Sequence, residues 1–225
     1  MIWEGDGIQM SYLYTFYNGI YVDMNELIYN QDKYKGNSIY INITNQCPCS
    51  CIFCVRSENF GKDLDDLWLE AEPSAEEVIT KLQKLDLSLF KEVVFCGYGE
   101  PFTRLDVLIE IVTYIKSVSK LRIRINTNGL GNKIYSKNIV PSLAELIDSV
   151  SISLNASNEE EYLRLTNCLY GRGSFRAMLE FALECKKYLE EVRVTVVDII
   201  GLKEIEECKL LCDKYQLDLV VREYR

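Results

Sequence analysis

The sequence predicts an α/β fold: a partial, TIM-like barrel of parallel strands with helices outside, preceded by a small N-terminal extension over residues 1–36. Three observations carry this. Apolar, β-branched runs alternate with helical patterns from residue 38 onward, the rhythm of a parallel sheet with crossover connections. The strands are polar at every second position, so one face of the sheet is wet. Every unusual loop sequence follows the C-terminal end of a strand, where ligands sit in parallel α/β architectures.

The extension contains "SYLYTFYNGIYVDM", two short apolar runs around Asn18-Gly19, a hairpin signal. Six strands are then expected at 38–44, 92–96, 121–127, 149–155, 191–198 and 218–222. The first helix starts at "PSAEEVITKLQKL": Ser74 and Glu77 form a capping box, and Val78, Leu82, Leu85 and Leu89 follow at helical spacing. The next carries Leu105, Leu108, Val112 and Ile115. A weaker one is expected over 139–147, two in the crossover at 159–166 and 174–189, and the last over 203–215. Residues 37–225 read as one domain.

Parity decides between an open sheet and a curved one. Asn42 and Thr44 alternate with Ile39, Ile41 and Ile43. Arg122, Arg124 and Asn126 alternate with Leu121, Ile123 and Ile125. Ser151, Ser153 and Asn155, and then Arg193 and Thr195, repeat the pattern. A sheet covered on both faces reads as nearly continuous apolar runs. A closed barrel fills its lumen with branched apolar side chains. A partial barrel with a wet, ligand-filled interior fits this alternation.

Composition narrows the chemistry. The 225 residues carry 25 Lys+Arg against 34 Asp+Glu, a net charge of −9, and no basic run, which argues against non-specific nucleic-acid binding. The start, "MIWEGDGIQM", has no basic n-region or long apolar stretch, and no apolar run reaches bilayer length. The expectation is a cytoplasmic protein, outside the membrane, with reduced thiols. There is no histidine, which excludes Ser-His-Asp and Cys-His catalysis. Nine cysteines, an odd number, argue against a disulfide framework.

Four of the nine lie in "NQCPCSCIFCVR". Thiolates at this density bind soft metals. Zinc usually draws on two separated pairs, and no second close pair follows at such spacing. Cys208 and Cys212 sit inside an expected helix and read as core thiols. "CGYGEP" follows the second strand; alone it reads as a strand-to-helix turn, with glycines for positive φ and Pro101 starting a helix. "NTNG" follows the third strand and "SLNA" ends the fourth.

The frame Cys47-x3-Cys51-x2-Cys54, with aromatic Phe53 before the last cysteine, resembles the signature of the radical S-adenosylmethionine (SAM) superfamily. The stretches "LWLEAEPSAEEVI", "EVVFCGYGEPFTRLDV", "RINTNG", "NIVPSLAELIDSVSISLNA" and "VTVVDI" extend the likeness to the TatD-associated members of that superfamily. The resemblance implies a partial (β/α)6 barrel and a radical SAM enzyme with two cofactors, a [4Fe–4S] cluster and SAM. In such enzymes the cluster reductively cleaves SAM, and a 5′-deoxyadenosyl radical abstracts hydrogen from a substrate, here an unidentified small molecule. It implies that Cys47, Cys51 and Cys54 ligate the cluster and that Phe53 packs near the adenine. Gly97, Gly99 and Glu100 match a "GGE" motif that meets the methionyl amino group, with Tyr98 inserted. Ser153 and Asn155 lie where relatives meet ribose or carboxylate, and Asn126 and Arg124 share the third strand's inward face. Cys49 falls outside the frame and reads as a non-ligand. An external electron donor such as flavodoxin or ferredoxin, and a functional link to a TatD-type hydrolase, follow from the same resemblance.

Arg124, Arg193 and Arg222 are expected to face the interior and offer charge to an anionic substrate group, or to Glu100 or Asp198. The rivals are a passive iron–sulfur or zinc module, a glycyl-radical-activating enzyme, and a 7-carboxy-7-deazaguanine synthase. Many members of that last family place Asp-Thr or Asp-Ser after the final cysteine, where this chain has Val55-Arg56. No C-terminal cysteine cluster accompanies the sixth strand, so one iron–sulfur site is expected.

Overall fold

The structure, a computed structural model, describes residues 12–56 and 67–224. The chain opens with β1 (Leu13–Tyr17) and β2 (Ile20–Asp23), joined by Asn18 and Gly19 at φ 52° and 80°. Two left-handed residues in a two-residue loop match the twist of a hairpin, which is why the Asn-Gly signal was readable. A short helix α1 (Met24–Tyr29), capped by Asp23, leads to β3 (Ile39–Ile41). Then come α2 (Ala75–Leu82), β4 (Glu92–Phe95), α3 (Leu105–Val118), β5 (Arg122–Thr127), α4 (Gly131–Ile134) and β6 (Ser149–Ser153). The chain closes with α5 (Glu159–Thr166), α6 (Ser174–Cys185), β7 (Glu191–Val197), α7 (Leu202–Tyr215) and β8 (Asp218–Arg222).

The strands form one sheet in the order β2-β1-β3-β4-β5-β6-β7-β8, parallel from β3 to β8. The six expected strands are all present. The hairpin adds two more: β1 runs antiparallel to β3, pairing Leu13 with Ile41 and Tyr14 with Tyr40. It covers what would otherwise be a bare edge of unpaired backbone groups. The expected capping box forms at α2, with Ser74 Oγ accepting from the Glu77 amide and the Glu77 carboxylate accepting from the Ser74 amide at 2.7 Å. The expected helix over 139–147 does not form; Val140–Leu143 is a single 3₁₀ turn with a proline at its start. Ile139, Val140, Leu143 and Ile147 are all buried, so their spacing reflects an enclosed loop.

Register settles the faces. Neighbours paired across parallel strands point the same way, so Arg124 and Ser149 share a face with Val94 and Tyr40, and Asn126, Ser151 and Arg193 share the same one. Ser153, Thr195 and Val220 follow, then Val197 and Arg222. The opposite face carries Ile39, Ile41, Val93, Phe95, Ile123, Ile125, Val150, Ile152, Val194 and Val196, all fully buried with the helix residues Val78, Leu108, Ile111, Val112, Met178 and Phe181. The helices therefore lie on the apolar face.

The polar face is concave. Eight strands laid flat would set the outermost about 34 Å apart, at roughly 4.8 Å per strand. Yet Tyr21 of β2 and Arg222 of β8 line the same cavity of ≈ 530 Å³. The sheet must curl to bring its two edges to one space.

Candidate active site

The cavity lies where the parallel strands end. Its wall includes Cys47, Cys51 and Cys54, Phe53, the Gly97–Glu100 stretch, Asn126, Ser153 and Asn155. These are the residues singled out from the sequence, with one exception: Arg124 is not part of the wall. Thr127, Asn128, Val197, Cys96 and the aromatic side chains of the hairpin join them.

The cysteine loop follows β3 and is held from three sides. On the first, the Ser50 and Ile52 amides donate to the carbonyls of Thr166 and Leu165 at the end of α5, each at 2.9 Å. On the second, the segment ahead of α2 folds across the loop. Asn45 donates to the Leu69 carbonyl (2.7 Å) and accepts from the Leu69 amide (3.1 Å), while Asn42 donates to the Leu67 carbonyl (2.8 Å). The Glu72 carboxylate gathers the Thr44 hydroxyl, the Asn45 amide and the Gln46 side chain. On the third, Arg56 donates to the carbonyls of Asn45 and Cys49 at 3.1 and 2.9 Å, and to that of Tyr98 at 3.4 Å. A guanidinium offers five donors in a rigid fork, so one side chain can hold two loops together. Arg56 and Glu72 were not identified from the sequence, because Arg56 meets backbone carbonyls and Glu72 meets groups more than twenty residues earlier in the chain, which no local pattern announces.

Gly97 and Gly99 do not form the turn that their stretch suggests when read alone. Neither has the positive φ that the turn reading required. They are needed because the two loops nearly touch. A Cβ at Gly99 would lie 2.3 Å from the Thr44 carbonyl oxygen, and one at Gly97 would lie 2.2 Å from Asn42 Cγ. The Glu100 amide closes the contact by donating to the Gln46 carbonyl at 2.8 Å.

Glu100 is buried, and its carboxylate accepts from the Thr127 hydroxyl (2.7 Å), the Asn128 amide (2.7 Å) and the Phe102 amide (3.1 Å). Burial pushes its pKa up to about 7; the three donors pull the other way, and a charge on Cys47 adds to the rise. It thus ties the end of β5 to the loop after β4.

Among the thiols, Cys47 falls to about 6, chiefly because the Cys49 thiol hydrogen-bonds to it, with help from the Cys49 amide, Arg56 and Asn128. Cys51 is lowered mainly by the same Cys49 thiol, and Cys54 is raised by burial. Cys49 is 3% exposed and lines the same cavity as the other three. Asn128 adds a long contact from Nδ2 to the Cys47 sulfur, 3.8 Å.

Asn155 has φ 64° and is buried, its amide facing the Thr195 carbonyl. Its Oδ1 has no hydrogen-bond partner among the described residues. A buried acceptor left open costs about 1–3 kcal/mol, so a site that retains one on a cavity wall suits a ligand donor. Asn126 accepts from Arg124 at 2.8 Å.

The expected trio of free arginines is not found. Arg124 makes a two-pronged pair with Glu92, 3.2 and 3.0 Å, beneath the cavity wall. Arg193 pairs with Glu191. Arg122, at the start of its strand, pairs with Glu190 and Glu191. Glu92 sits on the neighbouring strand β4 and reaches Arg124 diagonally, while Glu191 lies two residues before Arg193 on the same face of β7. Arg222 does line the cavity.

Three thiols, two glycines that admit close approach, and an unpartnered acceptor on one wall suit a cluster of several irons beside a polar ligand. Among the described residues, no three Cys, Asp or Glu side chains converge on a point as a lone metal ion requires. A cluster makes no such demand, because each cysteine meets a different iron.

Comparison with known proteins agrees. The family model of the radical SAM superfamily matches residues 41–211. The chain therefore belongs to the radical SAM superfamily, whose members are enzymes that use a [4Fe–4S] cluster and SAM. It is 26% identical over 183 residues to the GTP 3′,8-cyclase of Lactiplantibacillus plantarum, covering 80% of this chain and 51% of the relative. A probable dual-specificity RNA methyltransferase RlmN of Caldanaerobacter subterraneus is 28% identical over 167 residues, 71% of this chain and 44% of the relative. The chain spans about half the length of these curated relatives. In fold it is similar to native anSMEcpe with bound AdoMet (TM-score 0.63, 14% identity, covering 84% of this chain and 51% of that one). It is also similar to methylornithine synthase, PylB (TM-score 0.60, 15% identity, 90% and 60%). No described helix is long and apolar enough to cross a membrane.

Proposed function

We propose that this chain binds one [4Fe–4S] cluster and SAM in the cavity at its strand ends and uses them to abstract hydrogen from a small-molecule substrate. The observation that carries this is the meeting of Cys47, Cys51, Cys54, the Gly97–Glu100 stretch and the open Asn155 acceptor on one wall. When bound, the cluster and SAM supply one-electron chemistry that ends in a carbon-centred radical.

The chain's own part is binding, orientation and exclusion of water. Cys47, Cys51 and Cys54 hold the cluster. Cys49 shares the cavity wall with them but falls outside the frame and stays off the iron. Arg56, Glu72 and Glu100 fix the loop that presents the thiols, and the two glycines let the second loop close against it. Ser153, Asn155 and Asn126 offer polar groups to SAM, and Phe53 offers a ring face. Arg124 acts one step back, by orienting Asn126 through their hydrogen bond.

The curled sheet is best read as a partial (β/α)6 barrel with the hairpin sealing one edge, and the motif stretches favour the TatD-associated subgroup. Nine cysteines without a disulfide favour a reducing cytoplasm, where flavodoxin or ferredoxin can deliver electrons. Cluster binding by this chain is tested by anaerobic reconstitution, which should give about four irons per chain. Cys49→Ala should keep them, and Cys47→Ala should not. Iron retained by Cys47→Ala and lost by Cys49→Ala would contradict the frame.

A further inference from the structure

The cavity has a second half, away from the cysteines. The hairpin lends it three rings: Tyr14, Phe16 and Tyr21. They are ordered among themselves and with Tyr40. Tyr14 stacks on Tyr21 at 5.3 Å and on Tyr40 at 5.5 Å, and Phe16 meets Tyr40 edge-on at 5.3 Å. Such a wall gives a planar ring a surface that adapts little and loses little entropy on binding. Cys96 and Arg222 complete the space, Cys96 lying 3.6 Å from the Tyr14 hydroxyl.

Arg222 differs from the other arginines of this face. Arg124 and Arg193 have acids; Arg222 has no ion pair or hydrogen bond among the described residues. The nearby acids are engaged elsewhere: Glu92 with Arg124, Asp198 with the Tyr224 amide, Glu100 with three donors. Glu223 also lines the cavity. Arg222 stands exposed at the end of β8, on the cavity wall; packing around its guanidinium and the neighbouring Arg124 disfavour its charge, against some relief from Cys96. A guanidinium on a cavity wall without an acid can take an anion that arrives with the ligand, in a two-pronged charge-assisted pair.

We infer that this half of the cavity is the substrate subsite and takes a planar aromatic group bearing an acid, the ring against Tyr14, Phe16 and Tyr21 and the anion on Arg222. The inference rests on the enzyme reading above and gives its substrate a class. Two sources share the chemistry, a nucleotide and an aromatic carboxylate.

The test is equilibrium dialysis on reconstituted, SAM-loaded protein, with guanosine 5′-monophosphate and indole-3-acetate as probes. Guanosine, indole and ribose 5-phosphate are the controls. At least one acid probe should bind saturably, and which one names the source. Affinity should fall about tenfold in Arg222→Gln and for the neutral counterpart, as expected for loss of one charge-assisted bond. Tyr21→Leu should weaken the same probe, and ribose 5-phosphate should not displace it. Arg222 makes no internal bond, so its variant should fold. Absence of binding by either acid probe, or an unchanged Kd in Arg222→Gln, overturns the subsite. SAM cleavage is scored in the same preparation: intact cleavage without probe binding rejects only the subsite, whereas absent cleavage rejects the enzyme reading.

Discussion

The two faces of the same strands are built on different terms. Toward the helices the strands present Ile39, Ile41, Val93, Phe95, Ile123, Ile125, Val150, Ile152, Val194 and Val196, all apolar and fully buried. Toward the cavity the strands carry arginines, asparagines and serines, and two unpartnered polar atoms remain there, on Asn155 and Arg193. One face is held by removal of surface from water, about 25 cal/mol per Å². The other is held by hydrogen bonds and ion pairs that leave room for a guest. The fold thus keeps its stability on one side and its chemistry on the other.

The largest effect that separates the two sides is loss of the cluster. Ala at Cys47, Cys51 or Cys54 should reduce iron content from about four per chain to background, while thermal unfolding of the cluster-free protein stays close to wild type. Next comes the dry face. Leu108→Ala, under a fully buried side chain, should cost about 2–5 kcal/mol in denaturant unfolding, whereas Ser151→Ala on the cavity side should stay within about 0.5 kcal/mol. Equal costs at the two positions would break the comparison.

Gly99→Ala should cost about 3 kcal/mol, at the upper end for overpacking, because the atom it meets is backbone and cannot swing aside. It should also loosen the cysteine loop, read as slower iron incorporation. An unchanged melting temperature would mean that the two loops are not in contact.

The smallest effect is a pH slope. Glu100 titrates near 7 in the folded chain and at 4.5 as its ordinary value. Between these the folded state holds a proton that the unfolded state has released, so stability falls as pH rises from 4.5 through 7. The difference in melting temperature between cluster-free wild type and Glu100→Gln should therefore shift against wild type across that interval. A flat difference would show that Glu100 is already ionised.

Much of this was legible in the chain. Alternation such as Val150-Ser151-Ile152-Ser153 reveals a two-sided strand because side chains flip at every residue. Asn18-Gly19 announced the hairpin, and the cysteine frame announced the site. What stayed hidden depends on distant partners. Nothing local shows that Glu92 can reach Arg124, since that follows from β4 and β5 being neighbours with both residues on one face. The turn signals around Gly97 and Gly99 concealed a steric reason, set by the approach of a loop more than fifty residues earlier. Likewise the hairpin could be read, but not its place against β3, or its rings as part of the cavity wall.

The central claim is that the strand-end cavity is a working SAM site. Reconstituted, dithionite-reduced protein incubated with SAM under anaerobic conditions should produce 5′-deoxyadenosine and methionine in equal amounts by liquid chromatography, and Cys51→Ala should produce neither. SAM left intact by cluster-loaded, reduced wild-type protein would contradict the account.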